Sequence, residues 1–269
     1  MKMDIPRFKK TIKNYYRAHK RDFSWRRTTD PYRIVVSEIM LQQTQTHRVE
    51  PKFQNFIKKF PNFKTLAKAS VSEVLLVWQG LGYNRRGLYL KKIAEAVVSE
   101  YKGKLPSDPV LLMQLPGIGP NTAGSIAAFA FNLPVVFIET NIRRVFIHFF
   151  FKDAKNVHDK DILNLVEKTL DRKNSREWYF ALMDYGAMLA KTISNPNRQS
   201  KHYIIQSKFS GSDRQARGLI LKTLLAGPAG VLALKKITER DAGTLKKILT
   251  ALKKEGFVRE HGNKWALAA

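Results

Sequence analysis

Two carboxylates of this chain stand in contrasting settings. Glu38 follows the apolar residues of "YRIVVS" and precedes "IML", where the apolar spacing predicts a helix. Apolar surroundings disfavour an ionised carboxylate and raise its pKa, which suits a proton donor at neutral pH. Glu139 ends the apolar run "VVFIE", just before "TNIRRVF", which reads as the start of a second helix. There the helix dipole and the first N–H groups favour the charged form. A donor acid together with a carboxylate that stays ionised beside a developing cation is the pair that cleaves glycosidic bonds. Each residue also has a plainer role open to it. Glu38 can be a half-exposed or paired side chain, and Glu139 a charge–dipole contact worth roughly 0.3–1 kcal/mol.

The elements that must position these groups are mostly helices. Apolar residues recur at helical spacing in "FQNFIKKF", "VSEVLLVW", "LKKIAEAVVSEY" and "DILNLVEKTL", separated by turn signals such as "GKLPSDP", "DRKNSRE" and "SNPNRQS". A polar stretch, Gln206 to Gln215, divides the chain. Beyond it, three short helical patterns and two strand candidates around "HGN" resemble a winged-helix domain. The 269 residues carry 48 Lys or Arg against 22 Asp or Glu, a formal charge of +26, of which +8 falls from Lys208 onward. Such a surplus, spread along the chain, predicts a polyanionic partner, and nucleic acid rather than a membrane, since no apolar run reaches spanning length. The beginning, "MKMDIPRFKK", has no signal-peptide pattern, so a cytoplasmic, nucleoid-associated location is the expectation. There are no cysteines, which excludes disulfides and thiolate-held metal or iron-sulfur centres.

The sharpest local pattern is "LMQLPGIGPNTAGSIAAFAF", Leu112 to Phe131. Pro116-Gly117 and Gly119-Pro120 break the helical pattern into a tight hairpin, and small residues let a second helix pack closely. The pattern resembles a helix-hairpin-helix element, in which backbone N–H groups near Gly117, Gly119, Asn121 and Thr122 hold a DNA phosphate without reading sequence.

With "WRRTTDPYRIVVSEIMLQQTQ" (Trp25 to Gln45), "WQGLGYNRR" (Trp78 to Arg86), the hairpin, "ETNIRRV" and "ALMDYGAM" (Ala181 to Met188) in that order, residues 20–190 resemble the helix-hairpin-helix DNA glycosylases, and within them the MutY-like adenine glycosylases. The words "SEIMLQQTQ" and "GLGY" favour that branch over its endonuclease-III-like relatives. The resemblance implies that Glu38 protonates the adenine ring and helps activate water. It implies that Glu139 stabilises the cationic sugar and that Asn141 helps bind in the active site. It makes Gln43 the wedge that fills the gap left by the flipped base, with Leu81 and Tyr83 packing around the opposite base and Arg26 near the flipped one.

The chain departs from that family in three places and from its strand-cutting relatives in a fourth. Glu139 stands where the family has Asp, and its extra methylene moves the carboxylate by about 1 Å. Asn121 stands where strand-cutting relatives have a Schiff-base Lys, so a monofunctional enzyme is expected. The four cysteines of the usual iron-sulfur cluster are absent. The usual C-terminal domain that reads oxidised guanine has no visible counterpart. The expected fold is all-α, a two-lobed helix-hairpin-helix glycosylase with a small C-terminal winged-helix-like (α+β) domain. The expected division is 29–133 as a six-helix lobe with the hairpin, 1–28 plus 134–207 as the second lobe, and 208–269 as the C-terminal domain. The expected function is base excision: hydrolysis of the N-glycosidic bond of a mispaired adenine opposite guanine or 8-oxoguanine, by a monomer acting on double-stranded DNA with a mismatch or lesion. No cofactor is expected beyond a monovalent cation that the hairpin can hold. The alternatives are a mismatch thymine or uracil glycosylase, and a non-catalytic DNA-binding or damage-sensing protein on the same scaffold.

Overall fold

The computed structural model describes residues 4–205 and 208–268, so Gln206 and Ser207 of the predicted linker lie outside the described residues. Its helices begin with α1 (Ile5–His19), α2 (Pro31–Leu41), α3 (Thr46–Lys59), α4 (Phe63–Lys68), α5 (Val71–Trp78), α6 (Arg85–Ser99) and α7 (Pro109–Leu112). They continue with α8 (Pro120–Phe131), α9 (Thr140–Phe150), α10 (Asp159–Thr169) and α11 (Ser175–Thr192). The C-terminal elements are α12 (Asp213–Ala226), β1 (Ala229–Gly230), α13 (Val231–Thr238), α14 (Ala242–Lys254), β2 (Val258–His261) and β3 (Lys264–Leu267). The fold is mostly helical, with one small antiparallel sheet at the C-terminal end.

Local chemistry sets the helix ends. Ser70 and Glu73 form a reciprocal capping box at the start of α5. Asp4 caps α1 by accepting from the Arg7 N–H at 2.7 Å. Helix α8 opens at Pro120, whose missing N–H costs nothing there, and closes at Asn132 in the left-handed conformation.

Backbone contacts group the chain into two compact units, Met1–Ile34 with Pro106–Gln114 and Ile118–Ile205, and Val35–Leu105 with Leu115–Gly117 and Gln206–Ala269. In the first unit the core gathers aromatic rings from α1, α9 and α11. Phe8 lies 5.0–6.0 Å from the rings of Phe146, Phe149, Phe150 and Trp178. Helix α8 belongs here rather than with the six-helix part, because its small residues admit Phe137: a Cβ on Gly124 would fall 2.6 Å from Phe137 Cβ.

In the second unit the C-terminal elements run α12–β1–α13–α14–β2–β3 with strand order β1-β3-β2, a winged-helix arrangement. Strands β2 and β3 are the two predicted around "HGN". The two-residue β1, which pairs Ala229 with Trp265, is an addition, too short for alternation to reveal it. The C-terminal domain does not form a separate unit, because its apolar residues close one core with the helices before it. Ala216, Ile220, Leu221, Leu245 and Leu249 bury together with Val71 and Leu75 of α5 and Leu88 of α6. Among the described residues, no helix is long and apolar enough to cross a membrane.

Candidate active site

In the first unit, the run Val135–Ile138 delivers Glu139 in extended backbone (φ −131°, ψ 177°) to the N-cap of α9. Its Oε1 accepts from the N–H groups of Asn141 at 2.7 Å and Ile142 at 2.8 Å, and Oε2 accepts from Asn141 Nδ2 at 3.1 Å. These are the second and third backbone donors of the helix, the ones that shorter Asp or Ser side chains ordinarily satisfy. Glu139 therefore reaches a short side chain's partners despite its extra methylene. Asn141 is fixed from its other side by Arg144, whose Nη1 donates to Asn141 Oδ1 at 2.7 Å and to the Gly186 carbonyl at 2.8 Å. Glycine is required at 186, because a Cβ there would fall 2.4 Å from the Asn141 carbonyl oxygen. The "GAM" of α11 thus sets where α9 begins.

Burial raises the Glu139 carboxyl above the usual carboxylate range, against the opposing pull of the Asn141 and Ile142 N–H groups, the Arg144 charge and the Asn141 amide. This corrects the expectation that the helix start alone leaves the group readily ionised. The N–H groups do favour the anion, but loss of water outweighs them.

Asn121, at the exposed start of α8, accepts from the Ile138 N–H at 3.3 Å, one residue before Glu139. The hairpin helix and the extended segment before the carboxylate are thereby tied together. No side chain caps α8, whose N-cap is Gly119. Thr122, also near this end, is partly buried. Arg26 stands apart from this group. Its guanidinium forms a double hydrogen bond with Asp184, at 2.9 Å and 2.8 Å, over the Phe180 ring, with its side chain only 8% exposed. Arg21 Nε shares the same carboxylate at 2.6 Å. The side chain that the resemblance puts beside a flipped base is here engaged in an interior ion pair.

In the second unit, Glu38 is half-buried on α2 between fully buried neighbours, Ser37 and Ile39. Gln43 follows that helix with a left-handed backbone (φ 54°) and an exposed side chain. The loop Gly80–Tyr83 has positive φ at Gly80 (87°), Gly82 (74°) and Tyr83 (46°). Left-handed backbone is uncommon for residues other than glycine and gathers at functional sites, so Gln43 and Tyr83 share a mark that composition does not show. Leu81 differs from its predicted role: at 2% exposure it anchors the loop in the interior. Gly117 of the hairpin has φ 76°, and its carbonyl accepts from Gln42 Nε2 at 3.3 Å, next to the Gln43 turn.

One buried cation organises these pieces. Arg86 Nη1 donates to the carbonyls of Ile39 at 3.0 Å, Met40 at 2.7 Å and Gln42 at 2.5 Å. Its Nη2 donates to Thr44 Oγ1 at 2.9 Å and the Gly82 carbonyl at 3.1 Å. The end of α2 that carries Glu38, the Gln43 turn and the Tyr83 loop are thus pinned to one guanidinium. Its desolvation pulls the pKa down to about 10. Within "WQGLGYNRR" the resemblance gives Arg86 no role of its own. The signal was available: Arg86 falls on the apolar stripe of Leu90, Ile93 and Val97, where a charged residue must find interior partners. Replacing Arg86 with Met leaves buried carbonyls unpaired and is expected to lower the unfolding free energy by about 3 kcal/mol, as read by urea denaturation.

After α11 the chain is held by hydrogen bonds. Asn197 Nδ2 donates to the Thr140 carbonyl at 3.0 Å, Gln199 Nε2 to the Lys152 carbonyl at 2.7 Å, and Val157 N–H to the Gln199 carbonyl at 2.8 Å. An iron-sulfur cluster needs thiolate ligands, and with no cysteine in the chain the residues here do not fit one.

The adenine DNA glycosylase of Buchnera aphidicola subsp. Baizongia pistaciae is 36% identical over 194 residues, which are 70% of this chain and 54% of that protein. The chain thus spans about half the length of that relative. The adenine DNA glycosylase of Mycolicibacterium smegmatis is 33% identical over 228 residues, 78% of each chain. Among solved structures, a thermostable thymine-DNA glycosylase superposes with a TM-score of 0.62 at 26% identity, covering 73% of this chain and 90% of that one. Residues 36–171, from the core of α2 through the α9 start to α10, match the family model of HhH-GPD superfamily base excision DNA repair proteins, and the chain belongs to that superfamily.

Proposed function

We propose that the protein is a monofunctional DNA glycosylase that hydrolyses the N-glycosidic bond of a mispaired adenine, opposite guanine or 8-oxoguanine, after the nucleotide is flipped from the duplex. The observation that carries the reading is Glu139, a carboxylate held by two backbone N–H groups and an amide at a helix start, within a match to adenine glycosylases of 36% identity. Glu38 delivers a proton to the adenine ring, which converts a poor leaving anion into a neutral base. As the bond breaks, positive charge grows on the sugar. Glu139 meets that charge from a preorganised position and needs no reorganisation to do so. Water then adds to the sugar and leaves an abasic site. Asn121 has no amine for a Schiff base and instead braces the extended segment before Glu139, so strand scission does not follow. The duplex is held through its phosphates by the start of α8 and by the basic surplus of +26, as the flipped base leaves a gap at Gln43.

A second reading, excision of thymine or uracil from mismatches with guanine, is favoured by the match to the thymine-DNA glycosylase. One assay separates the two: incubate the purified protein with A:G, A:8-oxoG, G:T and G:U duplexes, treat with alkali and score cleavage. Excision from the adenine duplexes, visible only after alkali, is the expected result. Cleavage confined to G:T and G:U would establish the second reading. Strand scission without alkali would overturn monofunctional action, and no cleavage of any duplex would overturn the enzyme.

A further inference from the structure

The C-terminal domain reaches the loop that carries Tyr83. Arg214, in the first turn of α12, donates from Nη1 to the Tyr83 hydroxyl, and its guanidinium lies 5.1 Å from the centre of the Tyr83 ring. Arg86 lies 5.5 Å from the same centre. The domain that supplies Arg214 is seated firmly. Its core is continuous with Val71, Leu75 and Leu88, and Glu255 at the end of α14 accepts from Arg85 Nη2 and Arg217 Nη2, each at 2.5 Å. Arg85 stands two residues after Tyr83, so this ion pair clamps the far end of the same loop. The loop is also held from within the helical part, where Arg48 donates to the Gly80 carbonyl and the Trp78 indole to the Gly82 carbonyl at 3.1 Å. With the backbone on both sides of Tyr83 pinned, Arg214 adds a contact from the C-terminal domain to its side chain.

We propose that the C-terminal domain is part of the device that reads the base opposite the flipped nucleotide, and that Arg214 is the positioning residue that couples the domain to Tyr83. This rests on the glycosylase reading above and on Tyr83 as the residue of the loop that meets the opposite base. A cation held against a partly buried aromatic ring stiffens it and fixes its orientation. Loss of Arg214 leaves the Tyr83 backbone and the Arg86 contact in place and removes the C-terminal domain's hold on the hydroxyl and ring. Because the guanidinium is engaged by Tyr83, its loss is expected to act on opposite-base preference more than on general affinity for DNA.

The test uses the full-length protein and a duplex that cannot be cleaved. Binding is measured to a tetrahydrofuran abasic-site analogue placed opposite guanine and, separately, opposite cytosine, for wild type, Arg214→Ala and Arg214→Lys. The ratio of the two affinities, read on one preparation, is insensitive to any loss of folded protein. Arg214→Ala is expected to bind the cytosine duplex as wild type does and to lose about tenfold in its preference for guanine. Arg214→Lys, which keeps a cation and a donor, is expected to recover most of the ratio. In a double-mutant cycle, Tyr83→Phe should change the ratio in wild type and add little in the Arg214→Ala background. An unchanged ratio in Arg214→Ala would overturn the inference and leave the glycosylase reading intact. A wild type with no preference at all would overturn both the inference and the assignment of Tyr83, whereas adenine excision is judged independently by the cleavage panel.

Discussion

Glu38→Gln should abolish excision while leaving DNA binding intact. The amide has nearly the volume and the hydrogen-bonding reach of the acid, and the buried residues through which α2 packs, Val35, Val36, Ile39 and Met40, are unchanged. What disappears is a transferable proton. Removal of a positioned acid costs about a hundred to ten thousand times in rate, and more where no other group can protonate the leaving base. Single-turnover excision of adenine should therefore drop below detection, while affinity for a duplex with a non-hydrolysable adenine nucleotide stays at the wild-type value. A variant that still excises at a tenth of the wild-type rate would remove Glu38 from the acid role.

Glu139→Gln should separate activity from stability. The amide oxygen can still accept from the Asn141 and Ile142 N–H groups, so the cap survives. Its NH2 loses the bond that Oε2 accepts from Asn141 Nδ2, a loss that removal of the buried charge offsets, and no anion remains to meet the sugar cation. Loss of one preorganised electrostatic partner costs on the order of a hundred to a thousandfold in rate. Stability should move the other way at neutral pH. Burial raises the folded-state pKa of Glu139 above its value in the unfolded chain. The native state thus holds this proton more tightly, so the group's contribution to stability is fully present below the unfolded pKa and is lost as pH rises through the folded one. At neutral pH the anion is therefore a cost, and the Gln variant should unfold at a temperature no lower than wild type. The advantage of the variant should shrink as pH falls toward 4, near the unfolded value of about 4.3. The wild-type excision rate should decline on its acid side at a pH above that ordinary carboxylate value. A Gln variant that is clearly less stable than wild type at neutral pH, or an acid limb at the ordinary value, would contradict the assignment.

Such a conflict between fold and function is usual for a site that must act on charge. The helix start at Thr140 would be capped as well by Ser or Asn at lower cost. Glu139 is held in place by Asn141, Arg144 and the close approach at Gly186, and in the proposed mechanism the position of the carboxylate matters more than the energy of the cap.

The order of elements and the place of each carboxylate could be read from local pattern alone. Apolar spacing put Glu38 within a helix, and the turn from "VVFI" to "TNIRRV" put Glu139 at a helix start. Pro and Gly spacing marked the hairpin, "HGN" marked the strand turn, and the absence of cysteine excluded thiolate-held groups outright. These features are local because capping, periodicity and turn geometry depend on residues within a few positions of one another. The ionisation of Glu139, the pairing of Arg26 with Asp184, the hub at Arg86 and the seating of the C-terminal domain on α5 and α6 were beyond that range. Arg26 meets a partner 158 positions away, and Arg214 meets Tyr83 across 131. Desolvation and charge pairing depend on everything within a few ångströms, and for these residues the chain's folding decides what that is.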